Sequence, residues 1–254
     1  MASSLYILTG ASRGLGAAMT EQLLTPGAVV VGIARRAEPA LAAKAQAGGA
    51  TLEQWTLDLA DPVPAAERLG AWLGDIDPAR FDNAALINNA GVITPPGPID
   101  DCSAAELSAA LRVGLEATVL LSAAFLRGTR GWRAGRKVLN ISSGLGRRPM
   151  AGSAPYCAAK AGMDLFSRAL ALDEEHRGAG GAKVVSLAPG VIDTGMQVQL
   201  RSADEAGFPE RGNFVALSTQ GRLASPQAAA AQVLAYLNRA DFGAKVIADV
   251  RDPA

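Results

Sequence analysis

Short apolar runs rich in β-branched residues alternate along this sequence with longer, alanine-rich stretches. The runs predict strands, at 3–9, 28–34, 51–59, 84–91, 136–143, 182–189 and 244–250. The stretches predict helices, at 14–25, 38–47, 62–74, 103–127, 154–176 and 226–239. Because the apolar runs are continuous, the strands should be buried on both faces. The pattern therefore predicts one α/β domain over 1–254, a doubly wound parallel sheet of about seven strands with helices on both faces.

The composition fits a folded chain without an electrostatic partner. Of 254 residues, 49% are apolar and 19% are charged, which suits a large core and argues against disorder. The 24 basic and 24 acidic residues balance, so we expect neither nucleic acid nor an anionic membrane as a partner. The basic cluster at 127–137 is interpreted as a solvated loop rather than a binding patch.

Cysteine and histidine usage is sparse. Cys102 and Cys157 are too few for a disulfide framework, which indicates a reducing compartment, and we expect a cytoplasmic protein. The N-terminal segment has the features of neither a signal peptide nor a membrane span. The single histidine, His176, lies in a polar segment and is interpreted as a helix-end residue, so no metal site is expected.

A glycine-rich turn follows the first predicted strand and opens a helix. Gly10, Gly14 and Gly16 in "TGASRGLG" allow the backbone to turn tightly and approach a pyrophosphate, whose charge the helix N-terminus attracts. Such a string can also be a plain turn. Its position between strand one and a helix favours a dinucleotide site.

The end of the second strand bears on the cofactor. An NAD site usually has an acidic residue there for the ribose 2′-hydroxyl, but this sequence has Arg35 and Arg36 and no acid before Glu38. Guanidinium groups bind a 2′-phosphate well, and Arg13 can approach the same place. The alternative is that the two arginines only begin a solvated helix. We expect NADP(H).

Tyr156 and Lys160 are spaced i, i+4 and so project from one face of a helix. An ordinary tyrosine has a pKa of about 10, and a nearby ammonium with an oxidised nicotinamide ring should lower the pKa of this phenol. The pair therefore predicts a proton donor. The alternative is an ordinary amphipathic helix.

Four motifs in order resemble the short-chain dehydrogenase/reductase family over essentially the whole chain. They are "TGASRGLG", "NNAG" (88–91), a serine followed by Tyr-x-x-x-Lys, and "PGVIDTGM" (189–196). Further details are similar to its sepiapterin reductase and benzil reductase branch. The resemblance implies a Rossmann-type fold in which Ser143 orients the substrate oxygen, Tyr156 donates the proton, and Lys160 tunes Tyr156 and binds the nicotinamide ribose. Ser142 is one position off and would face the other way.

The resemblance also implies a set of cofactor contacts. Asp58 is similar to the acid that meets the adenine amino group, although a strand-end cap is the alternative. Asn89 to Gly91 are similar to the segment along the adenosine ribose, and Ile192 and Thr194 to the residues at the carboxamide. The full set is Gly10, Ser12, Arg13, Gly14, Leu15, Gly16, Arg35, Arg36, Asp58, Leu59, Asn89, Ala90, Gly91, Tyr156, Lys160, Pro189, Gly190, Ile192 and Thr194.

One position departs from the family. Gly114 stands where an asparagine usually holds a water that links the lysine to bulk solvent. Glycine has no side chain for this role, so the relay would need an exposed helix carbonyl or a water in the vacated space.

The substrate is expected to be a flat or aromatic carbonyl compound, because the predicted pocket walls are apolar. These walls are Leu145, Pro149, Met150, Val191, Met196 and a predicted lid at 195–224. By resemblance to the sepiapterin reductases, Asp249, with Asp252 nearby, is a candidate for holding a pterin, but a strand-end acid without a ligand is the preferred interpretation.

The sequence thus predicts an NADPH-dependent reductase of a ketone or diketone on a small, aromatic or pterin-like molecule. Alternatives in the same family are an acyl-carrier-protein ketoreductase, for which Arg147 and Arg148 offer a basic docking patch, and an alcohol dehydrogenase. An alternative of another class is a non-catalytic NADP(H) sensor. By resemblance we expect a homo-oligomer, a dimer or tetramer, paired through helices 103–127 and 154–176.

Overall fold

The computed structural model describes residues 3–253, so residues 1, 2 and 254 of the predicted domain lie outside the described part. Seven parallel strands form one sheet in the order β3-β2-β1-β4-β5-β6-β7. This confirms the predicted doubly wound parallel sheet. The strands are β1 Ser4–Thr9, β2 Val29–Ala34, β3 Thr51–Thr56, β4 Asn83–Asn88, β5 Gly135–Ile141, β6 Lys183–Ala188 and β7 Ile247–Asp249.

Helices cover both faces of the sheet. They are α1 Gly14–Leu23, α2 Pro39–Gly48, α3 Val63–Asp75, α4 Ala104–Leu111, α5 Ala117–Gly128, α6 Ala154–His176, α7 Gly195–Arg201, α8 Arg211–Thr219 and α9 Pro226–Leu237. Successive strand residues face opposite ways: Leu8 packs into the core beneath α1, α2 and α9, whereas Ile7 packs into the core beneath α3 and α5. The two apolar cores explain why both faces of the sheet need helices.

The edge strands differ from the prediction. β3 ends at Thr56 instead of residue 59, and both of its terminal threonines are exposed. Only Trp55 of its six residues is buried, so the expectation of burial on both faces is wrong for this edge strand. β7 is also shorter than predicted, with three residues.

The predicted helix 103–127 is interrupted. Residues Arg112–Glu116 form a π-helical turn between α4 and α5, and the buried Gly114 lies in its middle. A Cβ on Gly114 would lie 3.0 Å from the Cβ of Ala159 on α6. The π-helical turn and α6 thus approach each other closely at Gly114, the position where the resemblance implied an asparagine.

The stretch Ala104–Gly128 is apolar and long enough, by composition alone, to cross a membrane. Half of its most apolar window is buried inside the fold, and Leu121 and Phe125 are completely buried. Packing against the sheet therefore accounts for its apolar character.

The predicted lid at 195–224 is more regular than the sequence suggested, since it contains α7 and α8. Leu200 and Phe208 of this segment are buried together with Met150. The contacts with Met150, which lies outside the segment, explain why the segment has a regular structure. A local sequence pattern cannot predict such contacts between distant residues.

Candidate active site

The predicted site segments meet at one edge of the sheet. The glycine turn follows β1, Asn89 to Gly91 follow β4, Ser142 and Ser143 follow β5, and 189–194 follow β6. β1 lies between β2 and β4, so the strand order reverses there. A crevice outside the carboxyl ends of strands at such a reversal is where α/β proteins of this kind bind ligands.

The glycine turn is as tight as predicted. Gly10 and Gly14 have φ angles of 68° and 53°, in the left-handed region that favours glycine. A Cβ on Gly16 would lie 2.0 Å from the carbonyl oxygen of Gly10, so only glycine fits. The main chain is therefore open to close approach at the start of α1, which suits a pyrophosphate. The side chain of Leu15 is 7% exposed and packs into the core, so the predicted cofactor contact of this residue could only be made by its backbone and stays a prediction.

One hydroxyl that was not predicted joins two of the segments. Thr9 Oγ1 accepts hydrogen bonds from the backbone N–H groups of Asn89 and Ala90, both at 2.9 Å. The amide of Asn89 donates in turn to the carbonyl of Thr9 at 2.9 Å. The end of β4 is thus fixed to the glycine turn. The sequence signal for this contact was the threonine at the last position of β1.

The arginines at the end of β2 are free to meet a ligand. Arg13, Arg35 and Arg36 are all exposed. The carboxylate of Glu38 accepts the backbone N–H of Ala40 at 3.2 Å and so caps α2. A cleft of about 370 Å³ borders Arg13 and Glu38 on the α2 side of the turn.

The structure places Asp58 and Leu59 just beyond β3. The exposed Asp58 accepts the backbone N–H of Ala60 at 3.0 Å, the local cap that was the alternative interpretation. The side chain of Leu59 is 5% exposed and lies in the core beneath α3, so a cofactor contact at this position would involve its backbone and stays a prediction.

Tyr156 and Lys160 lie on the inner face of α6, as predicted. Lys160 is 3% exposed, and its Nζ lies 5.7 Å from the centre of the Tyr156 ring. The same Nζ donates to the carbonyl of Ile141 at 2.7 Å, and a Cβ on Gly91 would lie 3.9 Å from it. The lysine is therefore held between the end of β5 and the segment after β4.

Burial dominates the electrostatics of this pair. It raises the pKa of Tyr156 to about 12, although the neighbouring Ser143 hydroxyl acts in the opposite direction. Burial also lowers the pKa of Lys160 to about 8, against the opposing influence of the Asp164 carboxylate. In the chain by itself desolvation outweighs the Ser143 hydrogen bond, whereas the expected lowering of the phenol pKa depends on an oxidised nicotinamide ring beside the ammonium and stays a prediction.

The two serines after β5 face different surroundings. Ser143 has an extended backbone, and its Oγ accepts the N–H of Leu145 at 3.2 Å, at the start of a short 3-10 turn over Gly144–Gly146. Ser142 is 3% exposed and donates to Oδ1 of Asp164 at 2.6 Å. Ser143 is thus the serine on the side of Tyr156, as the resemblance implied.

The segment after β6 reaches back to the glycine turn. Gly190 turns the chain with a φ of 81°, and Ile192 is 9% exposed and pairs with Ala224 at the end of the lid segment. A Cβ on Gly14 would lie 3.4 Å from Cγ2 of Thr194. The structure therefore brings Pro189 to Thr194 next to the turn, where the resemblance placed them.

Three of the five predicted wall residues come together. Leu145, Met150 and Met196 share one apolar cluster with Leu200 and Phe208 of the lid segment. Pro149 and Val191 are exposed and lie outside this cluster, so their place in the wall of a substrate pocket stays a prediction. The lid segment is thus seated against the chain that follows Ser143.

Two charged candidates have other partners. The carboxylate of Asp249 binds the guanidinium of Arg251 through both oxygens, at 2.7 and 2.6 Å, which supports the preferred interpretation that it is not a pterin ligand. Arg147 donates to Asp164 at 3.2 Å and to the carbonyl of Ala248 at 2.8 Å. The predicted basic docking patch therefore keeps only Arg148 as a free cation.

A family profile described as short chain dehydrogenase matches residues 5–205. A benzil reductase ((S)-benzoin forming) of Bacillus cereus is 33% identical over 93% of this chain and 94% of its own length. The enzyme of the same description from Bacillus subtilis is 34% identical over 92% of this chain and 93% of its own length.

Solved structures give the same result for the fold. A putative 2-deoxy-d-gluconate 3-dehydrogenase from Agrobacterium tumefaciens with bound NADP superposes with a TM-score of 0.78 at 27% identity. The match covers 97% of this chain and 94% of that one.

Proposed function

Because the chain belongs to the short-chain dehydrogenase family of oxidoreductases, we propose that it reduces a ketone or diketone carbonyl of a small aromatic substrate with NADPH. The observation that carries this proposal is the position of Tyr156 and Lys160. Both lie at the crevice whose other wall is the glycine turn, and Ser143 lies on the same side. A proton donor and a dinucleotide cradle are thus next to each other.

The chain's own residues supply the proton and orient the substrate. The reduced nicotinamide supplies the hydride to the carbonyl carbon. Tyr156 gives its phenolic proton to the carbonyl oxygen as negative charge develops there. A pKa of about 12 keeps this phenol protonated at neutral pH, so Tyr156 carries the proton that it donates before the reaction begins. Ser143 donates a hydrogen bond to the same oxygen and so favours the transition state over the ground state.

Lys160 is suited to restoring the proton. Its lowered pKa, about 8, lies near neutral pH, where a group exchanges protons most readily. Its Nζ is held by Ile141, close to Gly91, on the side where the nicotinamide ribose is expected. The lysine can therefore bind the ribose and stabilise a phenolate after the transfer.

The preference for NADPH is proposed from the charges after β2. Arg35 and Arg36 are exposed at the end of β2, Arg13 is exposed in the turn after the neighbouring strand β1, and guanidinium groups bind phosphate well. Glu38, the nearest acid, is engaged in capping α2 and is held by Gln54 through both of its backbone groups. It is thus not free to take the ribose 2′-hydroxyl of NADH.

The substrate class is proposed from the apolar wall and from the relatives. Leu145 and Met196, which are half-buried and pack with the buried Met150, offer apolar surface beyond Ser143. The two relatives described above reduce benzil, a diaryl diketone. We propose that the lid segment 195–224 covers a substrate of this aromatic type.

We further propose a homo-oligomer that pairs through α6. Leu165 and Leu172 of this helix are 68% and 66% exposed, and their spacing of seven places both on one face. Leu111 at the end of α4 is 43% exposed. A second copy would cover this apolar surface with its own equivalent.

Cys102 and Cys157 are free thiols, which supports the proposal of a cytoplasmic protein in a reducing environment.

The test is a panel of carbonyl compounds with NADPH and NADH compared by the loss of reduced-nicotinamide absorbance. We expect benzil to be reduced with NADPH, more slowly with NADH, and aliphatic ketones to be poor substrates. Tyr156→Phe should lower turnover by about 10² to 10⁴-fold, the usual contribution of a general acid, and leave NADPH binding intact. Tyr236→Phe on α9 is the matched control and should keep its rate.

Other outcomes separate the alternatives. NADPH binding without reduction of any compound would identify a sensor. Reduction of an acetoacetyl thioester alone would identify a ketoreductase of acyl carriers. A Tyr156→Phe variant as fast as the control would refute the assigned proton donor.

A further inference from the structure

A third polar side chain lies on the inner face of α6, beyond the two residues already described. Asp164 follows Lys160 by four residues and Tyr156 by eight, so all three lie along one side of the helix. Asp164 is 7% exposed. A buried carboxylate destabilises a fold unless it is fully hydrogen bonded. Its partners therefore indicate what it is for.

Those partners lie on both sides of Ser143. Oδ1 of Asp164 accepts the hydroxyl of Ser142 at 2.6 Å, and Oδ2 accepts Nε of Arg147 at 3.2 Å. One carboxylate thus holds both ends of the segment 142–147, which carries Ser143 and the 3-10 turn. We call this stretch the serine segment.

The serine segment lies directly on α6. A Cβ on Gly146 would lie 2.9 Å from the carbonyl oxygen of Lys160 and 3.0 Å from Oδ2 of Asp164. Only glycine allows this approach. Since Ser143 Oγ accepts the N–H of Leu145 within the segment, the direction of this hydroxyl depends on the turn that follows it.

The same network reaches two further strands. Ser186 of β6 donates to Oδ1 of Asp164 at 2.7 Å, and the second arm of Arg147 donates to the carbonyl of Ala248 in β7 at 2.8 Å. The side chain of Arg147 keeps 32% exposure, so water competes for its pairing, whereas the Asp164 side chain keeps 9%. The buried Asp164 carboxylate is therefore the more rigid partner, and it holds the serine segment in place.

We propose that Asp164 is a positioning residue that holds the serine segment against α6 and thereby directs the Ser143 hydroxyl at the substrate oxygen. The role assigned to Ser143 rests on the proposed function. Asp164 acts on Ser143 through Ser142 and Arg147, and its charge separately raises the pKa of Lys160. None of the four family motifs contains it.

Activity gives the first readout. In Asp164→Asn the side chain keeps its shape but loses its charge, and the hold on Arg147 weakens. We expect kcat to fall about tenfold to a hundredfold, the cost of misplacing a group by about 1 Å, with KM for NADPH unchanged. Asp173→Asn is the matched control, because Asp173 is exposed on the same helix.

Hydrogen–deuterium exchange gives a second readout that needs no substrate. The amides of residues 143–148 should exchange faster in Asp164→Asn and in Arg147→Met than in the wild type. Ser186→Ala removes a hydrogen bond to the same carboxylate from a strand that does not carry the serine segment. This variant should lose some thermal stability but keep both the slow exchange and the rate.

The outcomes separate the proposal from a purely structural role and from the proposed function. If Ser186→Ala opens the segment and slows turnover as much as Ser142→Ala, or if Asp164→Asn changes neither readout, the proposal is wrong. Should Asp164→Asn not fold, Arg147→Met and Ser142→Ala decide, since each releases one end. A wild type that reduces no carbonyl would overturn the proposed function, and the exchange rates would still show whether Asp164 holds the segment.

Discussion

The ammonium of Lys160 lies 5.7 Å from the centre of the Tyr156 ring and donates at 2.7 Å to the carbonyl of Ile141. The last residue of β5 therefore fixes the lysine, and the lysine does not hydrogen bond the phenol. Because Ile141 precedes the serine segment directly, strand β5 sets the position of the cation and of Ser143 together. Strand β5 therefore helps to set the distance between the Lys160 ammonium and the Tyr156 phenol.

The buried ammonium of Lys160 makes stability depend on pH. Its pKa is 10.5 for an ordinary lysine and about 8 in the folded chain, so the unfolded chain binds more protons between these values. The free energy of unfolding should therefore rise with pH from about 8 towards 10, by up to about 3 kcal/mol over the full interval, at about 1.4 kcal/mol per pKa unit. Tyr156, whose pKa is raised from 10.0 to about 12, acts in the opposite direction only above pH 10.

Urea unfolding at several pH values checks this. Lys160→Met should remove most of the rise between pH 8 and 10, and Lys183→Met, at an exposed position of β6, should keep it. Parallel curves for wild type and Lys160→Met would contradict the assignment.

Gly16→Ala should destroy the cofactor site. The new Cβ would lie 2.0 Å from the carbonyl oxygen of Gly10, and because this atom belongs to the backbone, the whole turn must move. We expect a loss of stability of several kcal/mol, typical of backbone strain together with overpacking, and no measurable NADPH binding. Binding can be followed by nucleotide fluorescence. Gly74→Ala on α3, where a Cβ meets nothing within 4 Å, should bind normally.

Arg35→Ala and Arg36→Ala test the choice of cofactor. Each removes an exposed guanidinium beside the expected 2′-phosphate, and a hydrogen bond between charged groups contributes about 1.5–3 kcal/mol. KM for NADPH should rise about tenfold to a hundredfold for the residue that makes the contact, with KM for NADH unchanged. Arg127→Ala, exposed on α5, is the control. Equal increases for both nucleotides would show that the arginines do not read the phosphate.

Gly114→Ala tests the π-helical turn. An alanine normally stabilises a helix by about 0.5–1 kcal/mol relative to glycine, and Gly70→Ala on α3, where a Cβ meets nothing within 4 Å, should show this gain. At Gly114 the new methyl group would press on Ala159 at 3.0 Å, one residue before Lys160. We therefore expect a lower melting temperature than for Gly70→Ala, and slower turnover. An equal gain in melting temperature at both positions would mean that α6 moves away from the new methyl group without a cost in stability.

Periodicity and motifs predicted much of this molecule. The strands were readable because residues such as Ile7 and Val31 are buried in continuous runs, and the glycine turn because its spacing has a steric cause. Asp164 was missed because its partners Ser142, Arg147 and Ser186 are between 17 and 22 residues away in the chain. The π-helical turn was missed because a helix that widens around one glycine keeps nearly the same apolar pattern.

Two further features were not predicted for a similar reason. Leu15 and Leu59 lie within motif segments, but motifs do not tell which residues turn their side chains into the core. The direction of the Tyr156 pKa shift depends on how much protein surrounds the ring, and spacing along a helix contains no such information.

The strand order also divides the site by its origin in the chain. The residues proposed to hold the nucleotide phosphates and adenosine follow β1, β2, β3 and β4, whereas those proposed to act on the substrate come after β5 and β6. The proposed cofactor contacts 189–194 lie between β6 and the lid segment, and Thr194 packs near Gly14 of the glycine turn. Exchange of the lid segment 195–224 alone for that of a relative is therefore a route to new substrates that keeps the residues proposed to bind the nucleotide.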